Sequence, residues 1–404
     1  MKIAIRRQLL LACAVVLGAL AYFELAWPPR YDFPPPTPFQ GDRWYNPYAG
    51  YRGGGLLANF HAHSEVWGGL TFGDTPRHEL YALYKERGYD VIGISDYMTI
   101  APPQDSGDIY LSAYEHGYTP GRHHQTVIGA RHVSWFDYPL GGSVQQKQDV
   151  LDRLRSEAQF LIINHPTKAD SYALADFEKL TGYDALEVAS KYGIWENYWD
   201  VALSSGRPVW GVASDDGHAS IDDGIGSHVG IAYLVIHTVE PTALGVLTAL
   251  HAGRFHSMYT RDGKPGVDLE LFEIEGDQLH VRLGERVDAI RFWGQDGRLL
   301  WDERKRSEAF YTLSPRDTYV RVEANLFARR IVLYLNPLIR WDGVALPTPE
   351  ARFLVGRTWA IRSAGALVFM GAFLALRRTA RNLRRARERR AALAQESARA
   401  EAPP

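Results

Sequence analysis

The first half of the chain alternates between short apolar runs and polar segments with helical periodicity. The apolar runs predict β-strands at 56–61, 90–95, 126–130, 159–164, 184–189, 208–213 and 229–236. The segments between them predict helices at 75–87, 144–157, 172–181, 195–205 and 242–252. Strands that alternate with helices are typical of a parallel sheet or a barrel, so residues 56–266 are predicted to form one α/β domain.

The pattern changes after Gly266. Short β-patterned runs follow one another at 267–274, 278–283, 288–293, 298–302, 309–313, 318–324 and 330–334. Turn signals such as the Asp-Gly pair at 296–297 separate these runs, and no segment of helical periodicity lies between them. The pattern predicts a small all-β sandwich over residues 267–345.

Two longer apolar segments lie near the chain ends. Residues 9–23 are unbroken apolar sequence, and residues 1–27 are predicted to be either a membrane anchor or a signal peptide cleaved after Ala21. Residues 357–376 form a second candidate span, with a buried or amphipathic helix as the alternative. Eight arginines at 377–390 follow it, which is typical of a cytosolic stop-transfer segment. We therefore predict two spans in an inner membrane, with the main domain periplasmic and both termini cytosolic.

The charges are segregated in the same way. The formal net charge is −2, but residues 1–7 carry +3 and the basic tail, residues 377–404, carries +6, which leaves −11 for the rest. An acidic body lacks the basic track that nucleic acid requires, so nucleic acid is excluded as a partner. Residues 28–55 begin with a proline-rich stretch and are predicted to be a stiff linker. The single cysteine, Cys13, lies in the first apolar run, so the main domain forms no disulfide.

Residues that can bind metal ions cluster at the ends of the predicted strands. His61 and His63 follow the first strand, and their spacing on an extended chain lets both rings face one cation. Other strands contribute Asp96, His165, Glu187, Asp216 and His218. Each residue alone could be a strand-end cap or an ion-pair partner. Together they predict a metal site, because buried imidazoles and carboxylates are costly unless they are paired or metal-bound.

The order of these candidate ligands along the chain resembles that of a known family. The ordered segments HAH (61–63), SD (95–96), NHP (164–166) and SDDGH (214–218) resemble the metal-binding motifs of the PHP (polymerase and histidinol phosphatase) metallohydrolases. The segment YVRVEANLFARRIVLYLNPL (319–338) is similar to the β appendage of the carbaryl-hydrolase-like branch. The resemblance covers about residues 56–340. It implies a distorted (β/α)7 TIM-like barrel with ligands at His61, His63, Asp96, His165, Asp216 and His218.

The chain departs from the family pattern at three places. Tyr97 follows Asp96 where the family usually has His, and Ala130 follows Gly129 where the family usually has a bridging Glu. The Asp that usually comes shortly after the first His pair is not evident in residues 64–74. The segment 115–132 contains one Glu and four His that could complete the site, and we select Glu115 and His124 over His116, His123 and His132.

The remaining roles concern catalysis and substrate binding. Tyr97, His124 and Arg131 are assigned to catalysis, with Tyr97 as a donor to a developing oxyanion. Lys168 and Lys191 are assigned to phosphate binding. Solvated surface charge is the alternative for the basic residues, and a packed aromatic is the alternative for Tyr97.

Three functions are compatible with these observations. The first is a membrane-tethered phosphoesterase, the second an amide, carbamate or ester hydrolase with the same metal site, and the third a degenerate, non-catalytic binding module of the cell envelope. The mixed imidazole and carboxylate set suits zinc or manganese, with iron as a further candidate, and one or two ions are expected. The expected partners are a small-molecule or lipid-linked ester and the membrane.

Overall fold

The computed structural model describes residues 2–218, 228–261 and 265–400. The chain forms two compact units, one of residues 32–352 and one that combines residues 1–31 with 353–404. The helices are α1 (Lys2–Leu25), α2 (Arg77–Glu86), α3 (Val144–Arg155), α4 (Glu196–Ser204), α5 (Ala243–His251) and α6 (Val355–Ala400). The first strands are β1 (Tyr31–Asp32), β2 (Arg43–Tyr45), β3 (Leu56–Asn59), β4 (Val91–Ile92), β5 (Ala113–His116), β6 (Gln125–Ile128), β7 (Phe160–Ile163), β8 (Ala185–Ser190) and β9 (Gly193–Ile194). The later strands are β10 (Trp210–Ala213), β11 (Ala232–Ile236), β12 (Phe255–Thr260), β13 (Leu269–Glu275), β14 (Gln278–Gly294), β15 (Arg298–Thr312), β16 (Tyr319–Leu326), β17 (Ile331–Trp341) and β18 (Arg352–Phe353).

The predicted mixture of strands and helices is present, but the strands form two sheets. One sheet has the order β10-β8-β7-β6-β5, with β9 paired to β8. Strands β7, β8 and β10 are parallel, whereas β5, β6 and β7 pair antiparallel. The short connection between β5 and β6 explains part of this difference, because a hairpin joins antiparallel strands. The result is a mixed α/β fold with a curled half-barrel sheet and a further β sheet, rather than a regular barrel of alternating units.

The second sheet joins the two predicted segments. Its order is β13-β14-β16-β17-β12-β11-β3-β4, so the strands after residue 266 continue the sheet that begins in the α/β segment. Residues 32–352 accordingly cluster as one unit. The boundary between two domains at residue 266 therefore stays a prediction from the sequence pattern.

Alternation of apolar and polar residues builds the long strand β14. Leu279, Val281 and Leu283 point into the core, and the residues between them are more exposed. The pairing with β15 shifts register between Arg282 and Val287, which marks a bulge. That bulge is why the sequence pattern predicts two short strands where one bent strand forms.

One helix predicted from the sequence is wrong. Residues 172–181 contain only a short turn, Leu174–Asp176, although Tyr172, Phe177 and Leu180 are buried as a helix would bury them. The Asp176 carboxylate accepts from the Ala173 backbone N–H at 2.9 Å and from Lys147 Nζ at 2.6 Å. These tertiary contacts hold the segment as an irregular loop.

The unit that contains both chain ends consists of α1, α6 and short flanking segments. The described residues supply one helix that is long and apolar enough to cross a bilayer, within Val355–Gln395, whereas the apolar part of α1, Leu9–Leu25, is shorter. The prediction of two spans is therefore corrected to one helix of that kind. Length and composition do not by themselves establish a span, so membrane anchoring stays a prediction. Residues 401–404 of the predicted tail lie outside the described residues.

Candidate metal centre

The first ligand pair lies directly beyond β3. A backbone bridge joins Ala62 to Gly217, and the His63 N–H donates to the Gly217 carbonyl at 2.8 Å. The Asn59 side chain accepts from the His61 N–H at 2.8 Å. These bonds keep the chain extended, so both imidazoles point to the same side, as their spacing predicts. Both rings are buried.

Glu115, on β5, lies at the centre of the imidazoles. Its Oε1 is 3.1 Å from His61 Nε2, 3.0 Å from His124 Nδ1 and 3.2 Å from His165 Nε2. Its Oε2 is 3.3 Å from His63 Nε2. The carboxylate therefore faces a different set of rings with each oxygen. The sequence selects Glu115 and His124 for this site, and the structure brings both to it.

Asp216 approaches the same rings from the end of β10. Its Oδ1 is 3.4 Å from Nε2 of both His61 and His63, and its Oδ2 is 3.2 Å from Lys168 Nζ and 3.8 Å from His165 Nε2. Asp216 and His165 have φ angles of 44° and 21°, in the left-handed region that non-glycine residues rarely adopt. Such strain concentrates at functional sites, where the surrounding structure maintains it.

The donor atoms form two overlapping groups with the spacing of a metal site. One comprises His61, Glu115 and His165, the other His61, His63 and Asp216, and within each group the donor atoms lie within 4.8 Å of one another. Among the described residues, Glu115 Oε2, Asp216 Oδ1 and His63 Nε2 make no hydrogen bond of acceptable geometry. Buried polar atoms without partners are costly. A cation bound among them would satisfy all three, so the residues fit a metal ion.

The electrostatics of the cluster match that fit. Burial disfavours ionisation of Glu115 and Asp216, but nearby imidazoles hold the pKa of both carboxyls well below the usual range. Burial also opposes charge on His61, yet Asp216, Glu115 and Glu187 raise its pKa well above 6.5. The site is therefore built around carboxylates that stay ionised and need positive charge beside them.

Glu187 lies behind the predicted ligands rather than among them. Its Oε1 is 3.0 Å from His61 Nδ1, its Oε2 accepts from the His165 N–H at 2.8 Å, and Ser214 Oγ donates to Oε1. A carboxylate on the far nitrogen of a histidine fixes the ring and directs the other nitrogen towards a metal. This geometry favours a supporting position for Glu187 over the ligand role predicted from the sequence.

Asp96 is buried, but other residues occupy its oxygens. Ser64 donates to it from the backbone N–H at 2.6 Å and from Oγ, and Arg77 donates through Nη2 at 2.6 Å and Nε at 3.1 Å. Asp96 belongs to neither donor group. The structure thus pairs Asp96 with Arg77 of α2, and the ligand role of Asp96 stays a prediction.

His218 and Tyr97 lie where the cluster opens to solvent. The Tyr97 ring stacks on His63 at 4.2 Å, and its hydroxyl is 3.0 Å from His218 Nε2. His218 Nδ1 is 2.9 Å from the Asp216 carbonyl oxygen and 3.6 Å from Asp216 Oδ1. Burial, together with His63, lowers the pKa of His218 to about 2, so its ring is neutral. A neutral ring protonated on Nδ1 donates to that carbonyl and accepts from Tyr97. His218 lies outside the two donor groups.

A cleft of about 1130 Å³ adjoins the cluster and carries positive charge. Lys168 and Lys191, both predicted to bind substrate, line it together with His218. Arg122 and Arg261 add two further cations, and Asp74 adds one anion. Arg131, predicted to be catalytic, is exposed and is absent from the lining.

Two contributors were not selected from the sequence. Asn164 Nδ2 donates to Glu115 Oε1 at 3.0 Å and to Thr126 Oγ1 at 3.0 Å, so it positions the central carboxylate. Asn164 precedes His165 in the NHP segment, so its position next to a predicted ligand could have indicated a role in the site. Arg122, with a φ of 48°, lines the cleft, whereas Arg131 does not. No pattern in the sequence distinguishes these two arginines.

Comparisons with known proteins place the chain in no family. No family model matches it, and no curated protein matches it. Among solved structures, it is similar to a two-domain protein from Bacteroides vulgatus ATCC 8482 that contains a predicted PHP-like metal-dependent phosphoesterase. The match covers 79% of this chain and 98% of that one, with 13% identity and a TM-score of 0.39. At those values the similarity assigns neither an activity nor a site.

Proposed function

We propose that this chain is a metal-dependent hydrolase that cleaves phosphoesters. The observation that carries the proposal is the set of buried donor atoms on His63, Glu115 and Asp216 that lie close together without a hydrogen bond, beside a cleft lined by lysine and arginine. His61, His165 and His124 complete the donor set. Mixed nitrogen and oxygen donors suit zinc, manganese or iron.

A bound divalent ion supplies a Lewis acid and lowers the pKa of water. The two oxygens of Glu115 face different imidazoles, so this carboxylate can serve two adjacent ligand sets. Glu187 and Asn164 hold His61 and Glu115 in place, and His218 holds the Asp216 backbone. Such support keeps the donors fixed before the substrate arrives.

The basic residues favour a phosphoester over an amide or carboxyl ester. Lys168 Nζ lies 3.2 Å from Asp216 Oδ2, so it joins the donor cluster to the cleft. Lys191 Nζ lies 3.3 Å from His218 Nδ1, next to it. Ammonium and guanidinium groups bind phosphate oxygens with charge-assisted hydrogen bonds. In the overall reaction water adds to phosphorus, the ester P–O bond breaks, and the alcohol leaves carrying a proton.

The cellular location forms a separate proposal. Within Val355–Gln395 an apolar helix precedes a run of arginines, and this order favours a single C-terminal anchor with a cytosolic basic tail. Deletion of residues 355–404 is expected to move the chain from the membrane to the soluble fraction. Recovery of the full-length chain in the soluble fraction would contradict the anchor.

A substrate panel tests the activity. The full chain, purified in detergent and loaded with manganese or zinc, is assayed with nitrophenyl phosphate, bis(nitrophenyl) phosphate and nitrophenyl acetate. Phosphoester hydrolysis that disappears with a chelator and returns with metal is expected. Lys168→Ala should raise KM for the phosphoester, whereas Lys179→Ala, an exposed lysine outside the cleft lining, serves as the matched control. Metal-dependent cleavage of the acetate alone would instead support the carboxyl-ester alternative.

A further inference from the structure

The lining of the cleft includes apolar side chains that phosphate binding does not use. Residues 65–75, here called the rim loop, are fixed at two points. The Glu65 N–H donates to the Thr75 carbonyl at 2.9 Å, and Trp67 Nε1 donates to the Tyr97 carbonyl at 2.8 Å. Between these anchors Leu70 is 89% exposed and Phe72 is 65% exposed. Large apolar side chains held in solvent by an anchored loop mark a binding surface.

The backbone of the rim loop directs these side chains towards the cleft. Gly73 has a φ of 120°, and a Cβ at this position would lie 2.7 Å from the Ser64 carbonyl oxygen. Only glycine fits that approach, so the return path of the loop is fixed by sequence. Phe72 consequently stands edge-on to His218, with 5.9 Å between ring centroids. The apolar part of the lining therefore reaches His218, beside the candidate metal centre.

Other lining residues combine apolar and cationic groups. Ile194 and Tyr192 are 45% and 48% exposed, and both line the cleft. Lys168 Nζ lies 4.0 Å from the centroid of the Tyr192 ring. The cleft is thus lined by two cations, Lys168 and Lys191, and also by apolar side chains, among them Leu70, Phe72 and Ile194. Its volume of about 1130 Å³ exceeds what a phosphate alone requires.

Because the lining contains both cationic and apolar side chains, we infer that the substrate is a phosphate ester of an apolar alcohol. The phosphate lies against the donor cluster and the lysines, and the apolar group lies against Leu70, Phe72 and Ile194. The inference rests on the proposed function and specifies its substrate class. An apolar alcohol that packs against these side chains removes apolar surface from water on both molecules, whereas a polar alcohol would lose its hydrogen bonds to water there. Contact of the rim loop with a lipid surface is the competing explanation.

Non-hydrolysable ligands test the inference independently of turnover. Two phosphonates with chains of equal length, one heptyl and one interrupted by two ether oxygens, are titrated calorimetrically into the manganese-loaded full chain. The heptyl compound should bind about tenfold more tightly or better, as expected when an apolar group enters an apolar pocket. In the double variant Leu70→Asn/Phe72→Asn the ratio of the two affinities should fall to about one. Leu140→Asn is the matched control, because Leu140 is 71% exposed and absent from the cleft lining, and it should keep the wild-type ratio.

The outcomes separate this inference from the proposed function. Equal affinities in the wild type, a wild-type ratio in the double variant, or no binding of either phosphonate overturns the inference. A double variant that keeps the ratio but loses binding to phospholipid vesicles assigns the rim loop to a membrane surface instead. An unchanged thermal midpoint of the double variant shows that it folds. Selective phosphonate binding without hydrolysis of heptyl phosphate contradicts the phosphoesterase proposal and keeps the ligand class.

Discussion

Nδ1 of His61 lies 3.0 Å from Oε1 of Glu187, on the side of the ring that faces away from Glu115 and Asp216. This contact leaves Nε2 of His61 as the atom directed into the donor cluster. The position of a buried carboxylate behind a ligand histidine gives the first prediction.

Glu187→Gln is expected to weaken metal binding without removing it. The amide can still accept from His61, but it lacks the negative charge that makes the imidazole a better ligand. Loss of such outer partners costs about 10–100-fold in metal affinity. Competition with a metallochromic indicator measures the change, and Glu178→Gln, an exposed glutamate, is the control. Unchanged affinity in Glu187→Gln would remove Glu187 from the site.

Metal binding should stabilise the folded chain. An ion that binds only the folded state adds about 2.7 kcal/mol of stability at a concentration 100 times its Kd. The thermal midpoint of the chelated protein should therefore rise on addition of manganese or zinc. In Asp216→Asn this rise should shrink sharply, because one of the two carboxylates of the donor cluster is lost. Equal shifts in both proteins would show that the ion binds elsewhere.

A histidine pair remote from the donor cluster predicts a loss of stability in acid. His237 Nε2 lies 2.9 Å from His256 Nδ1, and burial lowers the pKa of His237 to about 3 and that of His256 well below 6.5. Both rings are neutral in the folded state and protonate near pH 6.5 when unfolded. Their contribution is therefore complete above pH 6.5 and is lost as the pH falls from there towards 3, by up to about 1.4 kcal/mol per pH unit for each ring.

Denaturant unfolding between pH 7 and pH 5 measures this slope. His256→Gln should flatten it, because one of the two titrating rings is absent. His78→Gln, on the exposed surface of α2, should keep the wild-type slope. A slope that does not change in His256→Gln would assign the acid sensitivity to other groups.

A buried ion pair joins α4 to β16. Arg321 donates to Asp200 through Nε at 2.7 Å and Nη2 at 2.6 Å, and Arg321 is almost completely buried. Removing one partner leaves an uncompensated charge, so Arg321→Ala should lower the free energy of unfolding by about 3–5 kcal/mol. Arg282→Ala, which removes a solvent-exposed pair with Glu270, should cost less than about 1 kcal/mol. Similar losses in both variants would contradict the structural importance of the buried pair.

The sequence predicts most regular elements of the main unit, because apolar periodicity survives in β3, β7, β8, β10, β11 and the helices α2 to α5. It fails for β5, where Glu115 and His116 interrupt an apolar pattern yet are both buried, Glu115 in the site and His116 against Gln125 and the Phe136 carbonyl. It fails again at 172–181, where tertiary contacts of Asp176 replace a helix. At both places, tertiary contacts determine the structure in spite of the local apolar periodicity.

The candidate site also contains residues that the sequence can predict and residues whose position depends on the fold. His61, His63, His165 and Asp216 are predictable, because each comes shortly after the carboxyl end of a predicted strand, where functional residues of α/β folds gather. Asp96 lies outside the donor groups, because Arg77 and Ser64, brought to it by the fold, contact its oxygens. Arg131 lies outside the cleft lining, because loop paths decide which arginine reaches the cleft, and sequence patterns do not encode those paths.

Metal stoichiometry tests the central claim most directly. The full chain is reconstituted with manganese or zinc and desalted, and its metal content is measured by inductively coupled plasma mass spectrometry. We expect one or two ions per chain. His63→Ala and Glu115→Gln should lower that number, and His78→Ala, an exposed histidine, should not. Less than about half an ion per wild-type chain, where an occupied site holds one, would contradict the assignment of these residues as a metal centre.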